Sequence, residues 1–60
     1  MTPREIAGLL EKNGFELIGS NGSHRKYYNA ITKKTTVVPF HKKPLKTGTE
    51  QSILKQAGLK

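Results

Sequence analysis

The sequence has no cysteine and no aspartate, and these two absences exclude several kinds of site. Without cysteine, no disulfide can stabilise the chain and no thiolate can bind zinc. Without aspartate, the four acidic residues are all glutamates, scattered along the chain rather than clustered as a hydrolytic metal site requires. No glycine-rich nucleotide-binding motif is present. We therefore expect neither a metal nor a cofactor.

Long apolar runs are also lacking. No stretch approaches the roughly 20 apolar residues that span a bilayer. The first residues, Met1-Thr2-Pro3-Arg4-Glu5, contain no apolar signal region. We therefore expect a cytoplasmic protein without membrane association.

Positive charge is what the chain has in excess. Eleven Lys and Arg residues face four acidic ones, for a formal net charge of +7 in 60 residues. Such a charge favours a polyanionic partner, either nucleic acid or an acidic protein, although it could also serve solubility or a ribosomal-type scaffold. The length predicts one domain, residues 1–60, which buries only about 60% of its unfolded surface and would gain stability from a covering partner.

A helix is predicted near the start of the chain. Thr2 and Glu5 match a capping box, Pro3 suits the first helical position, and Gly14 can take the left-handed conformation of a helix end. The apolar residues between them recur at three- and four-residue intervals and form one stripe, Ile6, Leu9 and Leu10.

A second helix is predicted near the end of the chain. Thr47 as cap and Glu50 three residues later match another capping box, with Thr49 as a competing cap, and Gly58 ends the helix. Its apolar side consists of Ile53, Leu54 and Ala57.

Three strands are predicted between the helices, over residues 15–20, 24–29 and 35–40. Ser20-Asn21-Gly22-Ser23 forms the first turn, because Asn-Gly tolerates the positive φ that hairpin turns demand. Pro39 lacks an N–H, so the third strand ends there or lies at an edge. A basic loop, residues 41–46, follows.

Alternation along the second strand separates two faces. Arg25 and Tyr27 lie on one face, and His24, Lys26 and Tyr28 lie on the other. We expect Tyr27 to face the core and His24 to face solvent.

The order of elements is helix, three strands, helix. Short connections predict an antiparallel three-stranded sheet, and one apolar stripe on each helix predicts that both helices pack on the same sheet face. The predicted fold is therefore a two-layer α+β domain with the α-β-β-β-α order of a double-stranded-RNA-binding domain.

A histidine is the candidate catalytic group, because RNA can be cleaved without metal when a base activates the ribose 2′-hydroxyl. Histidine suits this proton transfer because its ordinary pKa is about 6.5. The candidates are His24 and His41, and His24 has the better setting, following Gly22 and Ser23 and sharing a face with Lys26. The alternative is that His24 is only a polar residue at the start of a strand.

Further RNA contacts are predicted from charge and aromaticity. The lysines either bind phosphates or lie on a solvated loop, and Tyr28 either stacks on a base or packs across the strands. The candidate RNA-binding residues are Gly22, Ser23, Lys26, Tyr28, Lys33, Lys34, Lys42, Lys43 and Lys46.

Five segments in order resemble the HicA toxin family over nearly the whole chain. They are Gly14-Phe15, Gly22-Ser23-His24, Val38-Pro39-Phe40-His41, Leu45-Lys46-Thr47-Gly48-Thr49 and Ile53-Leu54-Lys55-Gln56-Ala57-Gly58. One departure is Arg25, where the family often has an apolar, aromatic or histidine residue. If Arg25 lies on the helix-packed face, its stem must extend outward to solvent.

The resemblance implies a bacterial mRNA interferase of a type II toxin–antitoxin pair. It implies metal-independent cleavage of mRNA, a double-stranded-RNA-binding-like fold, His24 as the catalytic histidine and a HicB-like antitoxin that occludes the active site. The second proton-transfer group stays open. The alternative function is a non-catalytic RNA-binding module, whereas a DNA-binding regulator lacks the two adjacent helices of a helix-turn-helix.

Overall fold

The computed structural model describes all 60 residues and confirms the predicted α+β fold. Its elements, in chain order, are α1 (Pro3–Lys12), β1 (Glu16–Asn21), β2 (His24–Asn29), β3 (Lys34–Pro39) and α2 (Thr47–Gln56). Neither helix has the length and apolar run needed to cross a membrane.

The three strands form one antiparallel sheet in the order β1-β2-β3. Both helices pack on the same face of it, as predicted. The buried core consists of Ile6, Ala7, Leu10, Phe15, Tyr27, Val38, Ile53 and Ala57. β1 contributes no buried residue, so the core lies under β2 and β3 and the opposite face of the sheet is open.

Both ends of α1 are as predicted. The Thr2 N–H donates to Glu5 Oε1 at 2.8 Å, and the Glu5 N–H donates to Thr2 Oγ1 at 3.1 Å, which completes the capping box. Gly14 has a φ of 92°, and the Phe15 N–H donates to the Leu10 carbonyl at 3.0 Å. This return directs the buried Phe15 ring under the helix.

The predicted cap of α2 is wrong. Lys46 is the N-cap residue, Thr47 is the first helical residue, and no side chain caps the helix. Glu50 does not reach back, because its carboxylate accepts a hydrogen bond from the Met1 amino group at 2.5 Å. The Met1 amino group, which is distant in sequence, thus takes the place of the local backbone N–H that the predicted capping box would have used. The other end agrees with the prediction, since the Leu59 N–H donates to the Leu54 carbonyl at 2.9 Å.

The hairpin between β1 and β2 is one residue out of the predicted position. Asn21 pairs with His24, so the two central turn residues are Gly22 and Ser23 rather than Asn21 and Gly22. Gly22 has a φ of 62°, in accord with the type II′ turn, which has glycine at its first central position. β2 has the predicted bounds, whereas β1 and β3 differ by one residue at each end.

Candidate functional site

The open face of the sheet carries two rows of side chains next to the β1–β2 turn. Residues directly opposite each other in an antiparallel sheet point to the same face. The row nearest the turn consists of Asn21, His24 and Pro39, and the next row consists of Gly19, Lys26 and Val37. His24 and Lys26 therefore belong to one surface, on the face opposite the helices.

His24 is exposed and Tyr27, three residues along β2 on the core face, is 3% exposed, both as predicted. The backbone around His24 is held on both sides. Asn21 and Pro39 are its register partners, and the Phe40 N–H donates to the Ser23 carbonyl at 2.6 Å. The imidazole thus projects from a fixed position at the head of β2.

A groove of about 310 Å³ lies beside this histidine. It is lined by Gly19, Ser20, Asn21, His24, Lys26 and Val37. His24 and Lys26 are its only titratable residues and, being two positions apart on one strand, have Cα atoms roughly 7 Å apart. An imidazole and an ammonium at this spacing can face one phosphodiester, with the first moving a proton and the second stabilising negative charge.

A second, larger cavity of about 630 Å³ lies between the end of β3 and the start of α2. It is lined by Pro39, His41, Lys42, Lys43, Pro44, Leu45, Lys46 and Thr49. Pro39 is also the register partner of His24, so this lysine-rich cavity is adjacent to the His24 groove. His41 lines the cavity of the basic loop and not the groove.

Two of the predicted RNA-binding lysines lie elsewhere. Lys34 pairs with Asn29 in the last rung of the β2–β3 ladder, five residues along β2 from His24 and roughly 17 Å away. Its side chain lies against the end of α2, where a Cβ built on Gly58 would be 2.8 Å from Lys34 Cε. Lys33 precedes it in the turn, with a φ of 62°. The structure does not bring Lys33 and Lys34 to the groove.

Tyr28 lies on the open face but further from the turn. It is half-buried and pairs with Glu16 and Thr35, four residues along β2 from His24 and roughly 13 Å away. Its ring lies on the same surface as the groove without lining it.

One lining residue of the groove, Gly19, was not recognised in the sequence. Gly19 lies in the groove, and the signal that could have found it is a glycine inside a strand, which often marks a bulge or a close approach. The β1–β2 register does shift between Leu17 and Gly19. Arg25 lies on the helix-packed side, opposite the buried Val38, yet is exposed, so its stem extends outward as expected. Its guanidinium carbon lies 4.1 Å from the centroid of the Phe40 ring.

No group of three or more histidine or carboxylate residues is close enough to hold a metal ion. The comparisons with known proteins add one finding. The family model described as the HicA toxin of bacterial toxin-antitoxin matches residues 3–59. A comparison with curated proteins gave no match.

Proposed function

The chain belongs to the HicA toxin family and is the toxin of a toxin–antitoxin system, and on that premise we propose that it is a metal-independent endoribonuclease. Its substrate is mRNA, its catalytic acid/base is His24, and cleavage of mRNA arrests translation. The observation that carries the proposal is the exposed His24 in a groove that Lys26 also lines.

The reaction is a transesterification within the RNA. The neutral His24 imidazole takes the proton from a ribose 2′-hydroxyl, and the 2′-oxygen attacks the adjacent phosphorus. The bond from phosphorus to the 5′-oxygen of the next nucleotide breaks, and that oxygen takes a proton from an acid or from water. The products are a 2′,3′-cyclic phosphate and a free 5′-hydroxyl.

Lys26 supplies positive charge where the phosphorane intermediate becomes more negative. A cation already fixed on a strand stabilises that charge with little reorganisation. The lysines of the second cavity, Lys42, Lys43 and Lys46, bind neighbouring phosphates of the same strand. Gly22 and Ser23 lie at the turn that precedes His24, where the backbone is open to a phosphate.

The test is RNA cleavage in excess chelator by the wild type, His24→Ala and His41→Ala. His41 is the matched control, because it is the other exposed histidine and lies outside the groove. We expect the wild type and His41→Ala to cleave the RNA and to leave a cyclic phosphate at the new ends. We expect His24→Ala to leave the RNA intact. Intact RNA with the wild type overturns the nuclease proposal, and cleavage by His24→Ala removes His24 from its role.

The second candidate function is a non-catalytic RNA-binding module. The observation that favours it is the size of the lysine-lined cavity, which exceeds that of the His24 groove and lies outside it. This function predicts salt-sensitive RNA binding without cleavage by any of the three proteins.

As a toxin of such a system, the protein has an antitoxin partner. We propose a HicB-like protein that covers the open face and occludes His24, in a bacterial cytoplasm. The net charge of +7 favours an acidic surface on this partner. Addition of the antitoxin is expected to stop RNA cleavage, and continued cleavage by a formed complex would contradict occlusion.

A further inference from the structure

We propose that Gly19 is the floor of a subsite for one ribonucleotide, whose phosphate lies between His24 and Lys26 and whose sugar and base lie on Gly19 and Val37. The proposal rests on the proposed function and assigns Gly19 as a positioning residue for its substrate.

Folding does not require glycine at this position. Gly19 is absent from the glycines with positive φ, which are Gly14, Gly22 and Gly58. A Cβ built on Gly19 would meet nothing within 4 Å, so no close packing excludes a side chain. Glycine inside a strand weakens it, because it lacks a side chain to pack and loses more conformational freedom on folding. The register shift between Leu17 and Gly19 does not require glycine either, because Gly19 is not in the positive-φ region. Glycine at position 19 therefore lowers the stability of β1 without a compensating gain in packing or backbone geometry.

What glycine does provide is the groove. Gly19 is the register partner of Lys26, whose other partner is Val37, and all three line the groove with His24. A branched side chain at position 19 would project from the same face into this space. The lack of a side chain at Gly19 thus leaves the groove beside β2 accessible up to the His24 imidazole.

The lining chemistry fits a nucleotide. The two titratable residues suit a phosphate, whereas Val37, which is 41% exposed, gives an apolar surface of the kind that a sugar or base packs against. Asn21, the register partner of His24, adds a polar side chain on the same face. A volume of about 310 Å³ lies at the lower end of the roughly 300–1,000 Å³ found for small-ligand sites, which suits a single nucleotide.

The test fills the floor of the groove and leaves the catalytic group in place. Gly19→Val adds a side chain that strands favour, and Gly19→Ala is the graded version. The control Leu17→Val places valine on the same strand outside the groove, at a residue that is 47% exposed. Circular dichroism and thermal melting of every variant show whether it folds.

Substrate kinetics use a short oligoribonucleotide that contains one cleavage site. For Gly19→Val we expect KM to rise roughly ten- to a hundredfold, the range that loss of one base contact costs, with a smaller change in kcat. Gly19→Ala should lie between Gly19→Val and the wild type, and Leu17→Val should match the wild type. The melting temperature of Gly19→Val should equal or exceed that of the wild type.

A binding measurement separates this proposal from the proposed function. A labelled oligoribonucleotide is titrated with His24→Ala and with the double variant His24→Ala, Gly19→Val, and we expect the double variant to bind more weakly. If the wild type cleaves RNA and Gly19→Val has the same KM as the wild type, the Gly19 subsite is overturned and the proposed nuclease activity is still supported.

If the wild type binds RNA without cleaving it and Gly19→Val weakens that binding, the proposed nuclease activity is overturned and the Gly19 subsite is supported. Equal binding by both proteins of the titration overturns the subsite whatever the cleavage result. If Gly19→Val does not fold, KM and RNA binding are compared in the same way for Gly19→Ala. Unchanged values for Gly19→Ala then overturn the subsite.

Discussion

The guanidinium carbon of Arg25 lies 4.1 Å from the centroid of the Phe40 ring. Phe40 is half-buried at the junction of β3 and the basic loop, and its N–H donates to the Ser23 carbonyl. Ser23 and Arg25 flank His24 in the chain. Phe40 is therefore held by both neighbours of the proposed catalytic residue, which joins the position of the basic loop to that of the imidazole.

Replacing the guanidinium is expected to weaken this junction. Arg25→Met keeps an apolar stem and loses the cation–π contact, which at exposed sites contributes about 0.5–1 kcal/mol. Arg4→Met is the control, since Arg4 is exposed on α1 and its loss changes the net charge equally. Urea unfolding should show a lower midpoint for Arg25→Met than for Arg4→Met. Equal midpoints would mean that the stack contributes nothing to stability.

Asn29 connects three parts of the chain from a buried position. Its Nδ2 donates to the Asn13 carbonyl at 3.0 Å, and its Oδ1 accepts from the N–H groups of Ile31 and Thr32 at 2.9 and 3.2 Å. Asn29→Ala leaves these partners without a bond and should lower the free energy of unfolding by about 1–3 kcal/mol. Denaturant unfolding measures the loss, and Asn21→Ala, at an exposed asparagine, should change it little.

The two lysine pairs should differ in their contribution to RNA binding. Each phosphate contact to a single strand contributes about 0.7 to the slope of log K against log salt. Lys42→Gln with Lys43→Gln should reduce that slope, because both residues line the cavity next to His24. Lys33→Gln with Lys34→Gln removes the same charge at the far end of β2 and should leave the slope almost unchanged. Equal reductions would show that only the net charge matters.

Acid should weaken the start of α1. Hydrogen bonds from the backbone and side chain of Thr2 lower the pKa of Glu5 below its ordinary value of 4.5. As the pH falls, Glu5 is therefore protonated at a higher pH in the unfolded chain than in the folded protein. The stability that Glu5 contributes above pH 4.5 is lost as the pH falls through its folded pKa.

Glu5→Gln keeps the residue type of a capping box and removes the charge. The wild type should lose more stability than Glu5→Gln between neutral pH and about pH 3, as measured by urea unfolding. Parallel losses in the two proteins would exclude Glu5 as a source of the acid sensitivity.

Local signals in the sequence predicted most of the fold. The capping box of Thr2 and Glu5, the glycine after each helix and the alternation in β2 are all effects of residues close in sequence. The predicted cap at Thr47 is wrong because Glu50 binds the Met1 amino group, 49 residues away in the chain. Residue types do not show such a contact before the fold is known.

The site was predictable in part for the same reason. His24 and Lys26 share a strand, so alternation alone places them on one face. Lys33 and Lys34 resemble Lys42 and Lys43 in composition, yet β3 separates the two pairs along its length. Gly19 was missed because an open position has meaning only once the strands around it are paired.

The lack of any buried residue in β1 has a consequence for engineering. Its six residues form an outer border of the sheet, and β1 joins the sheet through its backbone, so a library that varies them would leave the interior intact. Three of the six, Gly19, Ser20 and Asn21, border the groove. If the proposed nuclease activity holds, selection from such a library is expected to yield toxins with new preferences at the cleavage site on an unchanged scaffold.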